Sequence, residues 1–142
     1  MVERLVANEK VEGSTPFARS INLWLNIKMN KLYNKKCVPC EGSAIPFDVS
    51  EIHKYQKIVD GWNVIKNDKS IFYLEKNFKF KNFKDSQDFV NKVGKISEEE
   101  GHHPDILFGW GYTKINITTH AIEGLSENDF ILAAKIDQIV SV

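Results

Sequence analysis

The clearest regularity in the chain lies at residues 71–80, where Phe72, Leu74, Phe78 and Phe80 fall on one side of a period-two alternation and Glu75, Asn77 and Lys79 on the other. That alternation predicts an antiparallel strand with one buried face. The apolar run 62–65 predicts its hairpin partner, with Asn67 and Asp68 in the turn between them. Ahead of it, Asp48 and Glu51 have the spacing of a capping box, and Ile52, Tyr55, Ile58 and Val59 repeat at helical intervals up to Gly61. A second helical stripe, Phe89, Val90, Val93 and Ile96, runs from Phe83 to about Glu100 and is stopped by Gly101. Strands are predicted at 106–110 and 113–120 around a turn at Gly111, with His120 on the face opposite Ile115 and Ile117. Ser126 caps a last helix that carries Glu127 and Asp129 in its first turn. This order predicts an α+β fold, a four-stranded antiparallel sheet covered on one face by about three helices.

Residues 1–28 show no sustained period, and Gly13, Ser14, Thr15 and Pro16 interrupt them. They are set aside as a leader, with the domain expected at 29–142. The run VEGSTPFARS resembles the translation of a transfer-RNA gene, which would put the true start at Met29. The other reading is a genuine disordered or strand-forming extension.

A chain of 142 residues with 42% hydrophobic content supports one core. Nineteen basic residues balance nineteen acidic ones, so no overall field draws the protein to nucleic acid or an anionic membrane. The basic, phenylalanine-bearing run 76–84 could suggest a nucleic-acid platform, but strand alternation explains its aromatics as core. No apolar run reaches the roughly 18 residues of a spanning helix, and no secretory pattern opens the chain, so a cytoplasmic protein is expected. Cys37 and Cys40 form a CxxC that could hold half a zinc site, but no second half exists. Gly42, Ser43 and Pro46 read as loop and argue against a redox motif, leaving the pair as a lead-in to the first helix.

Three of the four histidines fall within nineteen positions, His102 and His103 at a helix–strand junction and His120 at the end of a strand. Alone, the adjacent pair could be a surface loop. With a third imidazole on a neighbouring strand, it suits general acid–base chemistry near neutral pH. No metal is expected, because the histidines lack helical i, i+4 pairing and no carboxylate completes a facial triad. The acidic run Glu98, Glu99, Glu100 sits at the unfavourable end of the helix dipole and reads first as a solvated turn.

The stretch from Glu98 to Asp137 resembles the pterin-4a-carbinolamine dehydratase family. Glu98 stands four residues before His102; His102, His103 and Pro104 form a central triplet; Trp110 supplies an aromatic; and His120 and Asp129 complete the signature. The CVPCEG lead-in, the GW before the hairpin and the FKF strand also look like bacterial members. The resemblance implies dehydration of 4a-hydroxytetrahydrobiopterin to quinonoid dihydropterin, with no metal or organic cofactor. It assigns catalysis to His102, His103, His120 and Asp129, with His103 preferred as the acid–base group. Substrate binding is expected from Glu98, Gly101, His102, His103, Pro104, Trp110, Thr118, Thr119 and His120. It further implies a functional link to an aromatic amino acid hydroxylase; separately, a small domain with a single-faced sheet can extend it or pair helices across a two-fold axis, so a homodimer or homotetramer is expected. The alternatives are a non-catalytic dimerisation module and a related enzyme acting on another pterin.

Overall fold

A computed structural model describes residues 16–39 and 44–141. The elements in chain order are α1 (Pro16–Tyr33), α2 (Val49–Gln56), β1 (Asn63–Lys66), β2 (Phe72–Lys79), α3 (Phe83–Glu100), β3 (Asp105–Gly109), β4 (Tyr112–Ile117), a 3-10 turn (His120–Ile122) and α4 (Glu127–Ser141). The strands form one antiparallel sheet in the order β1-β2-β4-β3. Leu74, Phe78, Ile115 and Ile117 are buried on one face of it, together with Val93 from α3 and Phe130, Ile131 and Ala134 from α4. The expected α+β class holds, with four helices among the described residues.

Local chemistry accounts for the ends of the elements. The Asp48 side chain accepts from the Glu51 amide and the Glu51 carboxylate accepts from the Asp48 amide, closing both halves of the capping box on α2. Asn82 caps α3 by accepting from the Asp85 amide at 2.8 Å. Gly101 ends that helix at φ +63°, where a side chain would be strained.

The expectation of no regular structure over 1–28 is corrected over 16–28, because α1 runs unbroken through Met29; residues 1–15 lie outside the described residues. Ala18 and Leu32 are buried, and Leu25 and Met29 are half-buried on the same stripe as α1 packs against α4. The period is hard to read because the outer side is also apolar: Phe17, Ile21, Leu23, Trp24 and Ile27 are exposed. A second correction concerns the strand expected over 113–120. β4 ends at Ile117, and Thr119 forms an isolated bridge to Gly124 that turns the chain into the 3-10 turn beginning at His120.

Lys76 is charged, yet its parity in β2 points it to the covered face. Its ammonium donates to Asp137 Oδ1 at 2.7 Å and to the Asp60 carbonyl at 2.6 Å, while the Trp62 indole N–H donates to Asp137 Oδ2 at 3.0 Å. Burial raises the Asp137 carboxyl above its ordinary value, against the opposing pull of Lys76. The core is thus completed at this corner by an ion pair whose acceptor oxygens both have partners.

Candidate active site

The turn from α3 into β3 is a Schellman motif. The Gly101 amide donates to the Glu98 carbonyl at 3.3 Å and the His102 amide to the Ser97 carbonyl at 3.1 Å. His102 therefore occupies a fixed backbone position two residues past the helix. Its ring turns inward, is 9% exposed, and places Nε2 2.7 Å from Asp129 Oδ1.

Asp129 is itself fully buried and takes two further donors on Oδ2, the Ser126 amide at 2.7 Å and the Thr119 hydroxyl at 2.8 Å. The Ser126 contact is the helix-end bond of a first-turn acid, so a residue placed to cap α4 also holds an imidazole. Thr119 and Ser126 hydroxyls lie 2.9 Å apart. Since the single Thr119 proton goes to Asp129, Ser126 supplies the proton between them, giving a relay from Ser126 through Thr119 to Asp129. A carboxylate that accepts from Nε2 fixes the His102 tautomer with the proton on Nε2, which leaves Nδ1 as the basic nitrogen of the neutral ring.

His103 points the other way. Its Nε2 lies 2.7 Å from Glu98 Oε1, but both side chains are well exposed. His120 is exposed as well and, although β4 ends before it, lines a cavity of about 320 Å³ together with residues of the uncovered face. The other walls come from Asn67, Ile71, Tyr73, Asp105, Asn116, Thr118 and Glu123. Tyr73, Asp105 and Asn116 were absent from the expected site. The β3–β4 register pairs Asp105 with Asn116, so both point to the uncovered face. The period-two pattern carries that parity, but only the strand pairing shows that these residues join His120.

The same register shows which of the expected residues share an end of the sheet. β3 begins where β4 ends, so the turn 101–104 and the segment 118–120 share one end of the sheet. Glu98, Gly101, His102, His103, Pro104, Thr118, Thr119, His120 and Asp129 all belong to that end. Thr119 is buried in the Asp129 network, whereas Thr118 lines the cavity and donates to the Phe72 carbonyl at 3.0 Å. Trp110 is not brought to them: it lies in the β3–β4 turn at the opposite end of the hairpin, 72% exposed. A larger cleft of about 830 Å³ between α1 and the end of α2 includes His53, and none of the three clustered histidines lines it.

Among the described residues, no group of three or more His, Cys, Asp or Glu side chains could hold a metal ion. Cys37 is buried and donates from Sγ to the Asn128 carbonyl at 3.6 Å; Cys40 lies outside the described residues. Burial, followed by the nearby Glu100 carboxylate, pushes the Cys37 thiol up to about 12, which suits neither a thiolate ligand nor a nucleophile. No helix among the described residues is long and apolar enough to cross a membrane.

The α+β domain thus carries a carboxylate-held imidazole at one end of its sheet and a small cavity on the uncovered face of that sheet. The chain belongs to the family described as pterin 4 alpha carbinolamine dehydratase, whose sequence model matches residues 46–139. Provisionally named pterin-4-alpha-carbinolamine dehydratases are among its relatives. The protein of Rubrobacter xylanophilus is 43% identical over 111 residues, covering 78% of this chain and all of that one. That of Alkaliphilus metalliredigens is 48% identical over 111 residues, covering 78% of this chain and 96% of its own. A crystal structure described as a transcriptional coactivator/pterin dehydratase from Brucella melitensis superposes with a TM-score of 0.60 at 26% identity, covering 66% of this chain and 97% of that one.

Proposed function

We propose that the protein dehydrates 4a-hydroxytetrahydrobiopterin to the quinonoid dihydropterin, returning an oxidised pterin to the cycle of an aromatic amino acid hydroxylase. The reading is carried by the gathering of His102, His103, His120 and Asp129 at one end of the sheet in a chain of this family. The carbon–oxygen bond at the 4a position breaks as an acid protonates the hydroxyl, and water leaves. The lone pair of the adjacent ring nitrogen forms the carbon–nitrogen double bond, and a base takes the proton from that nitrogen.

His103 and His120 are the solvent-reaching imidazoles and serve as the acid–base pair, with His103 the preferred residue. His102, held through Nε2 by Asp129, presents Nδ1 as a fixed acceptor. The pterin is assigned to the cavity lined by His120, with its edge toward the neighbouring 101–104 turn. There Asp105, Asn116 and Thr118 offer polar groups, and Glu98 lies beside His103. Trp110 is left out of this pocket within one chain. The reaction as written needs no metal or organic cofactor. A homodimer or homotetramer working in the cytoplasm belongs to the same reading.

The test is the ultraviolet absorbance change on adding protein to freshly generated 4a-hydroxytetrahydropterin. Wild type is expected to accelerate the decay, and folded His103→Ala and His120→Ala to lose about 10²–10⁴-fold of that rate. A folded wild type that leaves the spontaneous rate unchanged overturns the dehydratase. The second reading, a protein-binding module, is favoured by the coactivator description of the Brucella melitensis structure. It predicts that partner binding survives loss of the histidines.

A further inference from the structure

The segment just before the expected first helix, singled out by its cysteines, takes no part in the chemistry above. It nevertheless touches both supports of His102. The Cys37 amide donates to Glu100 Oε2 at 2.8 Å, and Glu100 is the last residue of α3, two before His102. The other Glu100 oxygen pairs with Lys135 of α4 at 3.1 Å, with both side chains nearly buried. One residue on, the Val38 amide donates to Asn128 Oδ1 at 3.1 Å and the Asn128 Nδ2 donates back to the Val38 carbonyl at 2.6 Å. Asn128 immediately precedes Asp129, which holds the His102 ring. Lys35 extends the strap by pairing with Glu127, the first residue of α4.

Residues 35–38 thus tie the end of α3, which carries the His102 backbone, to the start of α4, which carries its carboxylate. The two helix ends have no covalent link shorter than the β3–β4 hairpin, so their spacing sets the His102–Asp129 bond. We propose that Glu100 and Asn128, acting through this strap, are positioning residues for His102. The inference rests on the dehydratase reading only for its kinetic consequence. Alignment of a catalytic imidazole is sensitive to displacement, and a misplacement of about 1 Å can cost on the order of 100-fold in rate.

The nearly buried Glu100 carboxyl shows the strap's electrostatic character. Burial alone would raise it, yet the Cys37 amide and the Lys135 ammonium hold it below the ordinary carboxylate value.

The experiment records histidine-ring proton–nitrogen correlation spectra and turnover for the full chain as wild type, Asn128→Ala, Glu100→Ala and Glu100→Gln. The His102 ring signals are expected to move in both alanine variants while those of His53 stay in place. Glu100→Gln, which keeps an acceptor for the Cys37 amide, should restore most of the wild-type pattern. In parallel kcat should fall about tenfold or more in the alanine variants with KM within about twofold, the pattern of a misaligned group rather than a lost substrate contact. Folded alanine variants whose His102 signals match wild type overturn the inference. If an alanine variant does not fold, Asn128→Asp, which keeps the acceptor for the Val38 amide but sets a carboxylate oxygen against the Val38 carbonyl, is read the same way. Should wild type lack turnover while the His102 signals still move, the dehydratase reading fails and the positioning role stands.

Discussion

His102 and His103 are adjacent in the chain, and each places Nε2 2.7 Å from a carboxylate oxygen, yet the two pairs do different things. The His102 pair is buried, and its carboxylate is itself held by the Thr119 hydroxyl and the Ser126 amide, so a ring that leaves strands both its own Nε2–H and a fixed, buried carboxylate oxygen. The His103 pair stands in solvent, where water replaces either partner at little cost. Equal distances therefore give one imidazole a fixed direction and leave the other free to swing and exchange protons. In the proposed dehydration the first is the fixed group and the second the one that moves protons.

Removing Asp129 should break the comparison most severely. Asp129→Ala leaves the His102 ring, the Thr119 hydroxyl and the Ser126 amide without their acceptor, with an expected loss of about 3–5 kcal/mol in denaturant unfolding. A loss below about 1 kcal/mol would show that water or a neighbouring oxygen takes its place.

The acidic run beside the histidines offers a finer version of the same contrast. Glu100 is nearly buried and held below its ordinary value, whereas Glu98 is exposed. A depressed carboxyl stabilises the fold above the ordinary carboxylate pKa of about 4.3, and that contribution disappears as pH falls through the lower folded value. The stability gap between wild type and Glu100→Gln should accordingly be full at pH 7 and shrink below about pH 4, as read from denaturation midpoints. A gap independent of pH would remove the charge from the account.

The smallest effect belongs to the exposed pair. Glu98→Gln should change unfolding free energy by less than about 1 kcal/mol, with the wild-type pair weakened further by added salt. A larger loss would mean that the Glu98–His103 contact is shielded in solution, and the distinction between the two histidines would narrow.

Much of this was legible in the chain. The alternation at Phe72, Leu74 and Phe78 predicts β2 and its buried face, the Asp48–Glu51 spacing predicts the α2 cap, and Gly101 predicts the end of α3. Those signals are local: each depends on residues within a turn or a strand of one another. The first helix was missed because Phe17, Ile21, Trp24 and Ile27 make its outer side as apolar as its inner one, which erases the contrast that periodicity measures. Lys76 was passed over because a lysine at a core position declares itself only when its partners, Asp137 and the Asp60 carbonyl, are seen.

The site divides in the same way. Sequence by itself determined the residue types and their spacing, and through the family signature it brought His102, His103, His120 and Asp129 together as a set. Which imidazole is buried, which cavity His120 lines, and that Cys37 and Val38 brace the supports of His102 were decided by the tertiary structure alone. Those facts depend on contacts between residues 27 to 91 positions apart. No local period encodes them, because they exist only once the strands have paired in one register and α4 has packed against α3.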